Sequence, residues 1–531
     1  MKRLLLVVAL LLVLIAVAAC GNGGQEPAGP EQPADGGEAA AAGEYQDAIN
    51  IAMDVDPETF NPLIWKNTTA YRLGHLIYKG LVYIDDSLAP QPALAESWEN
   101  PDEMTWVFHL RQGVTFHDGS DFTSADVKYT FEQLLNEANN APYRSRFTAI
   151  ASIDTPDDYT IQFNLSKPNA ALLVYLDMGI IPEGAMDDPE FATHPIGTGP
   201  YKVAKYELNN VVTLEAYENY YEGVAVTKTI NCYIINDNSV RLAALESGDV
   251  DFVCSPLTAS DLQLVEGKQG LVMNKVAGLG ITYLGFNVTD PVIGDLEVRK
   301  AIAQMVDKNT ISSVIYSDMD TPGATPLQYH SWAWDESLKD YGYAYDVEAA
   351  KATLEAAGWV DSDGDGIREK DGVKLAFTLA THTDDTSRFQ VVEYLQNNLK
   401  GIGMDVSVSV TEWATFSDDM MNKRCQVWVA GWLNLYDPDR MYDMFHSTSA
   451  SNYGGYSDPT VDAKLDEGRG TSDLQVRAAD YQYVAKFVTD EVYYVTLLDQ
   501  AYVSIHTDKL EGYAVYPSGA IYSLWQARVA K

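Results

Sequence analysis

The sequence predicts an α/β protein built from several lobes, and three observations carry that reading. The chain has 531 residues, enough for three domains or two large ones. Hydrophobic residues make up 46% and aromatics 11%, a globular composition. Strand-like and helix-like segments alternate from residue 48 onward.

The elements can be justified in order. Residues 104–110 (MTWVFHL) alternate, with Trp106, Phe108 and Leu110 on one face, as a half-buried strand does. His117-Asp118-Gly119 makes a turn. Thr123 and Asp126 form a capping-box pattern ahead of Val127, Phe131, Leu134 and Leu135 at helical spacing. Residues 229–254 read as strand, helix and strand, with the helix stopping near Gly248. A helix is expected over 295–308, with Leu296, Ile302, Met305 and Val306 on its apolar side. Another starts at a cap, Asp346, and stops at Gly358. Trp98 and Trp106 read as core residues. No internal repeat is present.

The N-terminus reads as an address. Lys2 and Arg3 precede an unbroken apolar run, residues 4–19, and then Cys20 and Gly21. A short apolar segment ending in small residues is a secretory signal, not a membrane span. The cysteine directly after it resembles a bacterial lipobox, which implies cleavage before Cys20 and a lipid on its thiol. Two acyl chains supply stable membrane attachment. Residues 21–44 are Gly, Pro, Ala and acid-rich without aromatic or branched apolar residues, so they form a flexible tether.

The charge excludes some partners. Lys and Arg total 36 against 76 Asp and Glu, a net charge of −40. A nucleic-acid partner needs a basic surface, so none is expected. No polybasic membrane patch is present either. Three thiols remain after Cys20: Cys232, Cys254 and Cys425, with no metal-ligand spacing. Cys232 and Cys254 either pair or sit buried as small hydrophobes.

A set of short segments then appears in order: 56–62 (DPETFNP), 77–81 (IYKGL), 92–98 (PALAESW), 106–119 (WVFHLRQGVTFHDG), 197–201 (GTGPY), 246–251 (ESGDVD), 283–287 (YLGFN), 298–303 (VRKAIA) and Gly431-Trp432. Together they resemble the extracytoplasmic solute-binding proteins of peptide-type ABC importers, the oligopeptide-, dipeptide- and nickel-binding family. The resemblance spans about residues 48–530. It implies a periplasmic-binding-protein-like, two-lobed (class II) fold with an extra inserted domain, closing on solute by hinge motion. Residues 1–19 are then the signal peptide and 20–45 the tether. Residues 46–82, 186–280 and 504–531 form lobe I, 83–185 the inserted domain, and 281–503 lobe II. The implied protein is a monomer on the outer face of the cell membrane or in the periplasm. It hands its solute to ABC permease subunits and uses no cofactor.

The resemblance also implies a binding region around Tyr283 and Asn287 and from Glu412 to Arg440. Trp413 and Trp432 align with two cleft tryptophans of peptide-binding relatives, and an indole face packs on ligands without dictating their sequence. Trp432 either lines the cleft or joins the core beside Trp428. Asn434, Tyr436 and Asp437 lie close by. Peptide-binding relatives carry an Asp, three residues after the Gly-Trp tryptophan, for the peptide ammonium; here that position is Leu435. Asp437 either approaches the cleft or caps a helix near Arg440. The position of a basic carboxylate anchor falls at Met420. Neither peptide terminus has a matched anchor, which leaves longer peptides held by backbone bonds, or neutral ligands such as oligosaccharides.

Residues 361–369 (DSDGDGIRE) superficially resemble a calcium loop, but position 12 is Gly372 where EF-hands use a bidentate Glu. A turn is the better reading, and no metal site is expected. G-x-S-x-G, H-E-x-x-H and P-loop motifs are all missing, so no enzyme is expected. A ligand-sensing lipoprotein without transport is the remaining alternative.

Overall fold

The computed structural model describes residues 44–531 except 256 and 384. The signal segment, Cys20 and the tether up to residue 43 lie outside the described residues. Tyr45 bridges to Ala530 and already belongs to the folded body. No helix among the described residues is long and apolar enough to cross a membrane.

One 11-stranded sheet runs through the protein. Its first half packs Ala48–Met53 in parallel between Thr229–Ile234 and Phe252–Val253, and continues antiparallel to Val211–Ala216 and Tyr201–Glu207. Its second half holds Ala376–His382 in parallel between Asp405–Thr411 and Val427–Leu433. Two long antiparallel strands, Leu271–Phe286 and Tyr494–Thr507, join the halves. At one end Tyr494–Thr507 pairs with Phe252–Val253, and at the other Leu271–Phe286 pairs with Val427–Leu433. The expected changes of lobe at 280/281 and 503/504 therefore fall inside continuous strands, not in linkers. A register shift between Ala277 and Ile281 interrupts the pair at that crossing.

A separate four-stranded antiparallel sheet is built from Ala95–Asp102, Thr105–Leu110, Thr160–Leu165 and Ile150–Asp157. Trp106, Phe108 and Leu110 are buried on one face, as the alternation predicts. Helix Ser124–Leu135 covers that face and carries the full Thr123/Asp126 capping box. Phe108, Phe131, Phe147 and Phe163 meet edge-on or tilted at 5.1–5.8 Å between centroids.

The other predicted elements form with shifted ends. Helix Asn238–Ser247 is capped by Asp237 and stops at Gly248, whose φ is +79°. Helix Val347–Ala356 is capped by Asp346. The 295–308 helix is shorter than expected: it ends at Gln304, because Met305 leaves helical geometry and a second short turn starts at its own cap, Asp307. Cys232, Cys254 and Cys425 are free and buried. Cys232 lies on strand Thr229–Ile234 and Cys254 directly follows strand Phe252–Val253, on the other side of Ala48–Met53.

The ordered segments prove to be contact points between elements. His117 receives a hydrogen bond from Gly197 N (3.2 Å) at Nδ1, so its Nε2 donates to Gly199 O (3.0 Å). Burial lowers its pKa to about 4, which keeps this neutral form. A Cβ on Gly197 would stand 2.1 Å from Ile77 O, and one on Gly199 2.4 Å from Leu76 O and 2.7 Å from Ile77 O. Three segments thus meet at one junction between the small sheet and the first half. Arg299 of the 298–303 segment donates to the carbonyls of Ile293, Gly294, Glu491 and Val492.

Helix Thr68–Ile77 is held by Asn67, whose side chain accepts from Ala70 N. Gly74 lets the Trp65 indole lie against it; a Cβ there would stand 2.0 Å from the ring. Gly74→Ala should cost about 1–3 kcal/mol by overpacking. Chemical denaturation of the purified protein checks this, and an unchanged midpoint would contradict the packing.

Candidate functional site

A cavity of about 710 Å³ is walled by both halves and by the small-sheet region. That volume is in the range of small-molecule sites, about 300–1,000 Å³. Its floor is the crossing strand pair, at Gly278–Gly280 and Gln500–Val503. Gln328 Nε2 donates to Gly278 O (3.3 Å) and Gly280 O (2.7 Å), satisfying carbonyls that the register shift frees. A Cβ at Gly278 would stand 2.9 Å from the backbone atoms Gln500 O and Tyr502 N, so this floor needs glycine there.

One wall is helix Thr68–Ile77, which contributes Thr68, Tyr71 and Arg72. A second comes from Tyr143, Arg146, Tyr175 and Asp177 of the small-sheet region. Arg146 lies over the rings of Tyr143 and Tyr175, at 4.5 and 5.0 Å. The opposite wall holds Asp320, Asp385 and the segment after strand Val427–Leu433, including Asn434 and Tyr436. Tyr71 and Tyr436 hydroxyls meet at 2.6 Å, linking the first half to the second.

Burial dominates the electrostatics. Asp177 is pushed up to about 7 by desolvation, with Arg146 opposing the shift. Burial likewise raises Asp320 to about 6, although Ala501 N donates to it at 2.9 Å. The wall cations Lys66, Arg72 and Arg146 face the anions Asp177, Asp320 and Asp385. The wall is balanced in a chain whose acids outnumber its bases 76 to 36.

The residues expected from sequence divide between cavity and core. Asn434 and Tyr436 line the cavity. Trp432 does not: it is 8% exposed, stacks on Tyr453 at 6.0 Å and donates to Tyr494 Oη (3.2 Å). Trp413 is 48% exposed at the start of helix Trp413–Met421, against His382 and away from the cavity wall. Tyr283 is buried and stacked on Tyr494 at 4.0 Å. Asn287 donates to Lys423 O (3.0 Å) and accepts from Thr289, closing a turn. Met420 is a core residue.

Asp437 takes neither expected role cleanly. It is buried, pairs with Arg477 (2.6 Å) and accepts from Asp439 N (2.9 Å) in the turn before helix Arg440–Phe445. Asp439 is held by Arg469 through both carboxylate oxygens, at 2.8 and 2.7 Å. These two pairs lock the segment that presents Tyr436. The 361–369 loop behaves as a turn: Asp361 accepts from Gly364 N and Gly366 N, and Lys374 pairs with Asp363 and Asp365. Asp361, Asp363 and Glu369 do come within 4.8 Å of one another, but Asp361 and Asp363 are exposed.

Sequence reasoning missed Tyr71, Arg72, Arg146 and Asp177. A usable signal existed for Arg72 alone: with His75 it interrupts an apolar helical stretch, 70–77, and it is the one Lys or Arg there in a strongly acidic chain.

Two predictions follow from these charges. Arg477→Met leaves Asp437 buried without its partner and should destabilise the protein by about 3–5 kcal/mol, measured by denaturant unfolding. The folded state favours protonated Asp177, so stability is lost as pH rises from the ordinary carboxylate range toward about 7. Asp177→Asn should therefore raise the melting temperature at about pH 8 and leave it nearly unchanged at about pH 4. An equal effect at both values would contradict the burial of this carboxyl.

Comparison with known proteins fits this architecture. The oligopeptide-binding protein AppA of Bacillus subtilis (strain 168) is 27% identical over 493 residues, covering 90% of this chain and 90% of that protein. Its structure in complex with a nonapeptide superposes with a TM-score of 0.75 at 26% identity, over 91% of this chain and 99% of that one. NikZ from Campylobacter jejuni, solved in complex with Ni(L-His), gives a TM-score of 0.76 at 26% identity, with coverages of 91% and 99%. The fold is thus the two-lobed one of these binding proteins, with the crossing strands between its lobes. The family model for bacterial extracellular solute-binding proteins, family 5 Middle, matches residues 89–453, and the chain belongs to that family.

Proposed function

We propose that this protein is a lipid-anchored receptor that captures oligopeptides in the cavity between its lobes and delivers them to an ABC importer. The observation that carries this is the cavity itself. It is about 710 Å³ in volume, has walls on both lobes, and has a floor that is an interrupted strand pair. A ligand touching both walls gains contacts only when they approach, so it favours the closed arrangement by its differential affinity. The register shift at Ala277/Ile281 places the irregular backbone where such a hinge would bend.

Several features support peptides as the ligand. The relatives include an oligopeptide-binding protein and a nonapeptide complex. Tyr71, Tyr143, Tyr175 and Tyr436 offer flat, adaptable surfaces with polar tips, suited to varied side chains. Asn434 and Tyr436 are the sequence-expected residues that would touch the ligand. The chain would use Cys20 as its anchor, act outside the cytoplasm as a monomer, and engage permease subunits. It would perform no bond chemistry.

Native mass spectrometry of the purified protein tests the reading. A ladder of co-purifying peptides is expected. A single sugar mass would replace the peptide assignment with an oligosaccharide receptor of the same fold.

A further inference from the structure

Arg72 stands apart from the other buried arginines. It is 3% exposed, lines the cavity, and has neither a hydrogen-bond partner nor an acid within 4 Å among the described residues; Nε and Nη1 are fully enclosed. Its defined contact is the face of Tyr502, 5.3 Å to the centroid. Gly519 makes room beside it, since a Cβ there would stand 2.7 Å from the guanidinium. Arg241, Arg299 and Arg477 are as deeply buried, yet each is held by carbonyls or an acid. A buried guanidinium without a partner is costly, and its ordinary complement is a carboxylate bound by two parallel N–H bonds. The wall acids Asp177, Asp320 and Asp385 do not pair with it.

We propose that Arg72 is the seat of a ligand carboxylate, so that the receptor selects solutes carrying a free carboxylate. This rests on the cavity being the solute site. Asp177 lines the same cavity near Arg146 but within 4 Å of no cation among the described residues, and it complements a cationic group on the solute. A peptide with both ends free supplies both charges. The carboxylate anchor, unmatched at Met420, is thus provided from the other lobe.

The test uses random pentapeptides lacking acidic side chains, either with a free C-terminus or amidated. Trigalacturonate and its methyl ester serve as a non-peptide pair. Retention is read by native mass spectrometry on wild-type protein, Arg72→Met and Arg72→Lys. Wild type should retain the free acids about tenfold better than the amides, from loss of a charge-assisted pair. Arg72→Met should erase that preference while the unliganded protein melts no lower, because an unpaired buried charge has been removed. Arg72→Lys should restore it in part, keeping the charge without the planar fork. Equal retention of acids and amides, or a preference that survives in Arg72→Met, overturns the proposal. If peptides are not retained but trigalacturonate is preferred over its ester in an Arg72-dependent way, the peptide reading fails and this one stands. Retention of no probe by wild type overturns both.

Discussion

The pairing of Leu271–Phe286 with Tyr494–Thr507 is the constraint on which the rest depends. These strands belong to both lobes at once, so the lobes share a hydrogen-bonded sheet and not merely a flexible linker. Continuous pairing would make that connection stiff. The shift at Ala277/Ile281 breaks the ladder where the lobes meet, and Gln328 satisfies the freed carbonyls without closing the gap. The cavity floor is consequently backbone with little side-chain cover, and glycine at 278 and 280 keeps it low. The cavity and the interruption of the strand pair coincide because the same local irregularity makes both.

Around that floor, the polar interior has two distinct styles. Away from the cavity, three buried arginines are satisfied locally: Arg299 clamps four carbonyls, Arg477 holds Asp437, and Arg469 holds Asp439. These networks fix turns and helix starts. On the cavity wall, Arg72 is left without such a partner among the described residues. Buried polar groups are normally paired, and the exceptions need an explanation. For Arg72 the proposed solute carboxylate is that explanation. The acid surplus of the chain lies outside the cavity wall.

The recurring segments acquire a physical meaning in this light. The 197–201, 77–81 and 106–119 segments meet at His117, Gly197, Gly199 and Ile77. Close backbone approach tolerates no Cβ there, and the neutral imidazole bridges two elements in one tautomer. Such segments specify how the small sheet docks on the first lobe. They say little about what the cavity holds, which is why related receptors can share them and bind different solutes.

Local patterns determined much of the fold. Alternation placed Trp106, Phe108 and Leu110 inside, caps at Thr123 and Asp346 began their helices, and Gly248 ended another, because each depends on neighbours in sequence. The family likeness also placed Asn434 and Tyr436 near the cavity. What local spacing could not decide was which side of a strand or helix would face that space. Trp432 and Tyr283 read equally well as ligand platforms or as core, and burial against Tyr453 and Tyr494 resolved them into the core. Asp437 was ambiguous until Arg477, forty residues away, supplied its partner. Arg72 and Asp177 come from separate segments that only the packed lobes bring to one cavity. Periodicity reports which residues avoid water, whereas a binding site is made by charges whose partners are missing, and that is visible only when every neighbour is in place.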